Sequence, residues 1–222
     1  MKISVIIPIY NEAATCIDLI NSVKAVSLEK EIIVVDDGST DGTAEKLATL
    51  EGINLLTHTQ NVGKGAAVQT ATDHIKGGIV VLQDGDLEYN PEEYHALVEQ
   101  IQNKNTDIVF GSRWLGKKNA FSFHYVGNKL ITLFSNMINQ RRINDMASCY
   151  KAIPADIFRN LELKSNGFGL EAEITAKIFR KGYKVKEVPI SYERRTSAEG
   201  KKLRLKDGLI SAFACLRFRF FD

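Results

Sequence analysis

The chain has 222 residues, 44% hydrophobic and 25% charged, which is enough for one well-cored domain and too apolar for a disordered chain. Its uncharged stretches, such as Leu130 to Gln140, fall short of the ~20 apolar residues that a membrane span needs, and with no leader pattern at the N-terminus a cytoplasmic location is expected. A net charge of +2 hides two opposite halves: residues 1–110 hold 7 basic and 17 acidic side chains (net −10), residues 111–222 hold 22 and 10 (net +12). One half is suited to gather a cation, the other to meet an anion.

In chain order, short β-branched runs alternate with helical patterns. Ile3–Ile9 predicts a strand, followed by a helix from about Glu12; Glu31–Val35 a strand, with a helix from about Thr43; Ile53–Thr57 a strand, with a helix from about Gly65; Ile79–Leu82 a strand, with a helix from about Glu92. Apolar strands separated by crossover helices indicate an α/β fold, a mostly parallel central sheet with helices on both faces. Ligands of such sheets bind beyond the carboxyl ends of the strands. Each predicted strand ends in a polar cluster there: Tyr10-Asn11-Glu12, Asp36-Asp37-Gly38, His58 through Lys64, and Asp84-Gly85-Asp86.

A fifth apolar run, Asp107–Phe110, is followed by an aromatic stretch (Phe121, Phe123, Tyr125) and a helix near Gly127–Asn139. Then come the segment Met146–Ile153, a helix at Gly169–Arg180 ended by Gly182, and a strand Lys184–Val188 stopped by Pro189. No repeat or linker interrupts residues 1–222, so a single domain is expected. Cys16, Cys149 and Cys215 lack the spacing of a zinc site or a disulfide framework. The last segment, Lys201–Phe221, mixes leucine and phenylalanine with lysine and arginine. Such a basic amphipathic helix suits either a membrane interface or the domain's own sheet.

Asp84-Gly85-Asp86 is the most informative motif. Carboxylates at i and i+2, at the mouth of a buried strand, point the same way and can hold one hard divalent cation with positions left for phosphates. Rival motifs fail at specific residues. A Walker loop ending at Gly63-Lys64 would need glycine and serine or threonine where His58 and Gly65 stand, and Pro8 through Glu12 replace a dinucleotide GxGxxG after the first strand. An EF-hand from Asp84 fails at Tyr89 and His95. Asp36 and Asp37 can accept hydrogen bonds from a ribose hydroxyl or a base N–H, and the glycines that follow let the backbone come close to a ligand. Asp41 or Thr43 is suited to cap the next helix.

Val5 through Glu12, Val34 through Thr43, Asn61 through Gly65 and Asp84-Gly85-Asp86 resemble, in order, the motif series of family 2 glycosyltransferases with the GT-A fold. Gly111-Ser112-Arg113, Asp145 through Lys151, Gly167 through Glu171 and Val188 through Arg195 are similar to the branch with dolichyl-phosphate mannose synthase and bacterial polyprenyl-phosphate glycosyltransferases. The resemblance implies an inverting enzyme that moves a sugar from GDP-mannose or a UDP-hexose to a polyprenyl or dolichyl phosphate, peripheral on the cytosolic face of a membrane. It implies that Pro8, Tyr10, Glu12 and Asp37 hold the nucleoside, with Asp36, Lys64, Asp84 and Gly85 completing the donor side. Asp84, Asp86 and Glu88 would surround Mg²⁺ or Mn²⁺, and Asp86, Arg113 and Arg195 would serve the transfer.

Arg113, Lys151, Arg195, Lys201 and Lys202 would meet acceptor and donor phosphates, although Ser148-Cys149-Tyr150-Lys151 stands where the family often has Ser-Gly-Phe-Arg. A hydroxyl acceptor would instead need a base, for which Asp145 is the candidate. Residues 194–206 carry six basic side chains against Glu199 alone, so this loop is expected to fold over phosphates and an anionic membrane surface. A membrane-anchored partner protein is a further implied component. Nucleic acid is not an expected partner, because it would leave the acidic half without a role.

Overall fold

The computed structural model describes residues 1–116, 123–193 and 205–221. Its strands are β1 (Ile3–Ile9), β2 (Lys30–Asp36), β3 (Asn54–Thr57), β4 (Ile79–Leu82), β5 (Ile108–Ser112), β6 (Lys151–Pro154) and β7 (Val185–Pro189). Its helices are α1 (Cys16–Ala25), α2 (Thr43–Ala48), α3 (Lys64–Thr72), α4 (Tyr94–Gln102, after a 3-10 turn at Pro91–Glu93), α5 (Phe123–Asn139), α6 (Ala155–Arg159), α7 (Leu170–Arg180) and α8 (Leu205–Phe220). The strands form one sheet in the order β3-β2-β1-β4-β6-β5-β7. Every residue of β1 and β4 is buried, as their uninterrupted apolar sequence requires of strands covered on both faces. Helix α1 supplies cover through Cys16, Leu19, Ile20 and Val23, a stripe at helical spacing.

β6 alone runs against its neighbours, pairing antiparallel with β4 (Val81 opposite Ala152) and with β5 (Val109 opposite Ala152). Its first residues therefore rise at the edge where the parallel strands end. Tyr10, Asp37, His58, Asp84, Arg113 and Tyr192, which follow β1, β2, β3, β4, β5 and β7, share that edge with residues 145–150, which precede β6.

Several boundaries differ from expectation. α1 begins at Cys16, not near Glu12, because the Glu12 carbonyl accepts the amides of Thr15 and Cys16 and its carboxylate accepts the Thr15 hydroxyl at 2.9 Å, which turns residues 12–15 into a tight bend. α5 starts at Phe123, ahead of Gly127, and α6 had no distinct signal in the apolar pattern. In the segment 146–153, only the residues from Lys151 onward are strand.

The amphipathic C-terminal helix packs on α7 and α5, not on the sheet. α7 is consequently buried nearly all round, and the charges it carries are paired: Lys177 lies 2.8 Å from Glu173, donates to the Glu162 carbonyl, and leaves Glu173 to accept the amides of Lys164 and Ser165. Burial on this scale demands such pairing, since an unpaired charge in a dry interior is costly.

Candidate active site

The loops after β1 and β2 are laced together. Asn11, in the left-handed region at φ 52°, donates its amide to the Ser39 hydroxyl and accepts the Thr40 amide, and Asp41 accepts the Ala13 amide at 3.0 Å. Asp41 also accepts the amide and hydroxyl of Thr43, so it closes a turn before α2, while the capping position is Gly42. These backbone bonds hold Tyr10 and Glu12 in half-buried positions at the site edge. Pro8 is buried just beneath, and its carbonyl lies 2.7 Å from where a side chain on Gly85 would begin. Only glycine lets the acidic turn approach the end of β1 so closely.

Asp36 and Asp37, adjacent in sequence, face different partners. Asp37 is nearly fully buried and accepts from His58 Nδ1 (2.7 Å), Asn61 Nδ2 (2.9 Å), the Val62 amide (2.9 Å) and the Gly63 amide (2.7 Å). It anchors the 58–63 loop, and protein donors engage both of the oxygens expected to meet the nucleoside. Asp36 is 1% exposed, and neither of its carboxylate oxygens has a hydrogen-bond partner. A buried carboxylate in that condition calls for a donor. Gly63 then turns at φ +113°, where a side chain would stand 2.4 Å from the Asn166 carbonyl, and so seats the start of α3 on the loop before α7.

At that seat Lys64 reaches into the site. Its ammonium lies 2.6 Å from Asp84 and 2.5 Å from Glu171 in the first turn of α7. Burial alone would lower the Lys64 pKa, but Asp84 first, with Cys149 and Glu171 behind it, holds it well above its ordinary range. Burial alone would likewise raise Asp84, but Lys64, with a smaller hydrogen bond from the Cys149 thiol, holds it below the usual carboxylate value. Burial pushes the Cys149 thiol well up, which keeps it a neutral donor. A depressed carboxylate pKa gives stability above the unfolded pKa of about 4 that is lost as pH falls through the folded value. Lys64→Met is therefore expected to destabilise most at neutral pH, with the difference from the parent shrinking as acid protonates Asp84. Urea unfolding across that range checks it, and a difference independent of pH refutes the pairing.

Asp84, Gly85 and Asp86 are all half-buried. Asp86 accepts the Glu88 amide at 3.1 Å. Glu88, expected as a third metal ligand, instead accepts the Tyr192 hydroxyl at 2.6 Å, which pushes that phenol, already raised by burial, further up. Among the described residues no three His, Cys, Asp or Glu side chains converge in a way that could hold a metal ion. The pair Asp84 and Asp86 is what the turn itself brings together, with one Glu88 oxygen engaged by Tyr192. Two hard oxygen donors, one kept ionised by a lysine, fit Mg²⁺ or Mn²⁺, which take one or two protein carboxylates together with substrate phosphates.

Below the acidic turn lies a tyrosine cluster. Gln83 accepts the hydroxyls of Tyr94 (2.6 Å) and Tyr150 (2.8 Å) while its amide donates to the Asp84 carbonyl, and Tyr89 stacks on Tyr150 at 4.6 Å. Arg113, 6% exposed, lies over the Tyr192 ring at 5.1 Å and forks onto Asp145, Nε to Oδ2 at 2.7 Å and Nη2 to Oδ1 at 2.8 Å. Asp145 is fully buried and accepts the Arg113 amide as well. Its candidacy as a base for a hydroxyl acceptor is corrected, since its carboxylate is committed to Arg113 away from solvent.

Lys151 is also fully buried, donates to the carbonyls of Met146 and Ser148, and lies 4.7 Å over the Phe110 ring. The expectation that it meets acceptor phosphate is therefore corrected. Arg195, Lys201, Lys202 and the 194–204 part of the basic loop lie outside the described residues. Glu171, Gln83 and Tyr192 joined the site without a role assigned from sequence; the signal for Glu171 was its place at a helix start after two glycines.

The model of "Glycosyl transferase family 2" matches residues 4–161. Similar proteins include glycosyltransferase AglJ of Haloferax volcanii, 30% identical over 93% of this chain and 68% of that protein. Dolichol-phosphate mannosyltransferase of Pyrococcus furiosus is 34% identical over 90% of this chain, which spans 59% of that protein's length. Undecaprenyl-phosphate mannosyltransferase of Micrococcus luteus is 27% identical over 90% of this chain and 87% of its own length. Among solved structures, glucosyl-3-phosphoglycerate synthase of Mycobacterium tuberculosis, crystallised with Mn²⁺, UDP and phosphoglyceric acid, superposes with a TM-score of 0.72 at 21% identity, over 98% of this chain and 78% of that one. These structures share the GT-A fold with this protein. With its strand-end motifs and its acidic turn in one sheet edge, the chain belongs to glycosyl transferase family 2.

Proposed function

We propose that this glycosyltransferase is inverting and metal-dependent, and that it moves a hexose from GDP-mannose or a UDP-hexose to a polyprenyl or dolichyl phosphate at the cytosolic face of a membrane. The observation that carries the reading is the half-buried pair Asp84 and Asp86, with Asp84 held ionised by Lys64, at the edge where the strand ends meet. The names of the Pyrococcus and Micrococcus relatives favour the lipid-phosphate acceptor. On this reading residues 1–110 hold nucleotide and metal, and residues 111–222 meet the acceptor within the same domain.

Each residue has a task. Pro8, Tyr10 and Glu12 form the wall for the nucleoside, and Asp36 offers its unpartnered oxygens to ligand donors. Gly85 keeps the acidic turn against that wall. Asp84 and Asp86 would hold Mg²⁺ or Mn²⁺, which when bound neutralises charge on a diphosphate leaving group. Lys64 keeps Asp84 in its binding form and adds positive charge beside it. Arg113, fixed by Asp145 over the Tyr192 ring, and Arg195, Lys201 and Lys202 are proposed to contact phosphates.

A phosphate monoester with a second pKa near ~6 is largely dianionic at neutral pH and attacks C1 without help from a protein base. Single displacement inverts that carbon, and the commitment of Asp145 to Arg113 costs such a reaction nothing. No helix among the described residues is long and apolar enough to cross a membrane; on this reading contact is peripheral, and a membrane-anchored partner protein would supply any span.

Titration of GDP and UDP with and without Mn²⁺, followed by transfer to a short polyprenyl phosphate and to the matching alcohol, tests the reading. Mn²⁺-dependent binding of one nucleotide and product from the phosphate alone are expected. Equal transfer to the alcohol or to a saccharide hydroxyl overturns the acceptor, and binding indifferent to Mn²⁺ overturns the metal.

A further inference from the structure

Helix α5 leaves Val126, Leu130, Leu133 and Met137 exposed, the last three at 62–66%. The spacing is i, i+4, i+7, i+11, one continuous stripe on one face. Helix α8 repeats the spacing with Leu209, Phe213, Leu216 and Phe220, exposed by 37–73%. The two helices pack against each other, with the Cys215 thiol hydrogen-bonded to Ser135 at the contact. Scattered exposed leucines need no explanation, but two matched stripes on neighbouring helices form an apolar patch of the kind that marks an interaction surface.

On the two helices themselves the exposed charges among the described residues are basic. α5 contains no acidic residue, and the single acid of α8, Asp207, is buried. Arg141 and Arg142 follow α5 and line an open cavity of about 490 Å³ together with Leu133, Asn136, Met137 and Gln140, and Arg217 is exposed on α8. A second copy of the same face would set arginine against arginine. An anionic bilayer answers both features at once, with acyl chains for the stripes and phosphates for the arginines.

We infer that the α5–α8 face is a docking surface for an anionic lipid bilayer. The stripes enter the boundary between headgroups and acyl chains, and Arg141, Arg142 and Arg217 meet the headgroup phosphates. This deepens the lipid-phosphate reading by naming the face that brings the site to its acceptor, and it rests on that reading only for its purpose.

Flotation of the whole protein with vesicles of phosphatidylcholine alone, or with about 30% phosphatidylglycerol, tests it. Binding that needs the anionic lipid and weakens with salt is expected. Leu130→Glu with Leu133→Glu, and separately Leu209→Glu with Phe213→Glu, should each lower partition by roughly 10-fold or more, with Mn²⁺-dependent nucleotide binding and Tm as the folding controls. Arg141→Ala with Arg142→Ala should remove the preference for anionic lipid. Glutamate variants that fold and float like the parent overturn the inference, as does a parent dimer in sedimentation that these variants dissolve. Failure to float alongside transfer to a short soluble acceptor refutes the surface and spares the function; flotation without transfer to any lipid phosphate does the reverse.

Discussion

Asp86→Ala should lower sugar transfer by at least ~100-fold while leaving the fold intact, a loss of the size seen when one preorganised charge-stabilising group is removed from an active site. The reason lies in the charge balance of the turn. Asp84 shares its charge with Lys64 at 2.6 Å, so removing Asp86 takes away one of the two hard oxygen donors with which the turn would hold a cation. Without it, the turn offers one carboxylate facing a lysine, and the affinity for Mn²⁺ should fall with the rate. The variant removes a half-buried side chain from a loop, so its unfolding free energy should move by no more than about 1 kcal/mol. Steady-state rates over a Mn²⁺ series, with a thermal melt as control, decide the matter. Near-normal transfer in a folded variant would remove the metal from the proposed mechanism.

Asp145→Ala should act on stability instead. It strands Arg113, 6% exposed, with no partner for its fork, and breaking one side of a buried ion pair costs about 3–5 kcal/mol. In a chain of this size that corresponds to a fall in Tm on the order of 10 °C. A loss below about 1 kcal/mol would mean that water reaches the guanidinium. Asp145→Asn keeps the shape and separates structure from chemistry. If it folds, its pH–rate profile with a phosphate acceptor should keep the shape of the parent's even if loosening Arg113 lowers kcat, since that acceptor needs no base, and loss of the profile's acid limb would restore Asp145 as a base.

The parallel strands were legible because β1, β2 and β4 are nearly unbroken β-branched runs, and the acids at their ends were legible because polar residues are conspicuous after such runs. The partners of those acids were not. Asp36 and Asp37 are chemically identical neighbours, and only the path of the 58–63 loop decides that one is saturated with donors and the other has none. Lys151 looks like any lysine near an anion site until β6 is seen to run antiparallel through the sheet and carry it inside. Arg113 and Asp145 are far apart in sequence, so their fork could not be read from spacing. The bend at Glu12 was missed because its hydroxyl partner, Thr15, carries no apolar signal.

The place of β6 has a consequence for how the chain is made. β5 leaves the ribosome before β6, yet it has no position beside β4 and must wait for the strand that separates them. The flank of Ile79–Leu82 thus stays unpaired until Lys151–Pro154 has been synthesised, which at roughly 5–20 residues per second is a matter of seconds. For that interval a nascent apolar edge is available to any other extended segment, the circumstance in which aggregation competes with folding. Translation speed and chaperone access between these two strands should therefore govern yield more than the final stability of the enzyme.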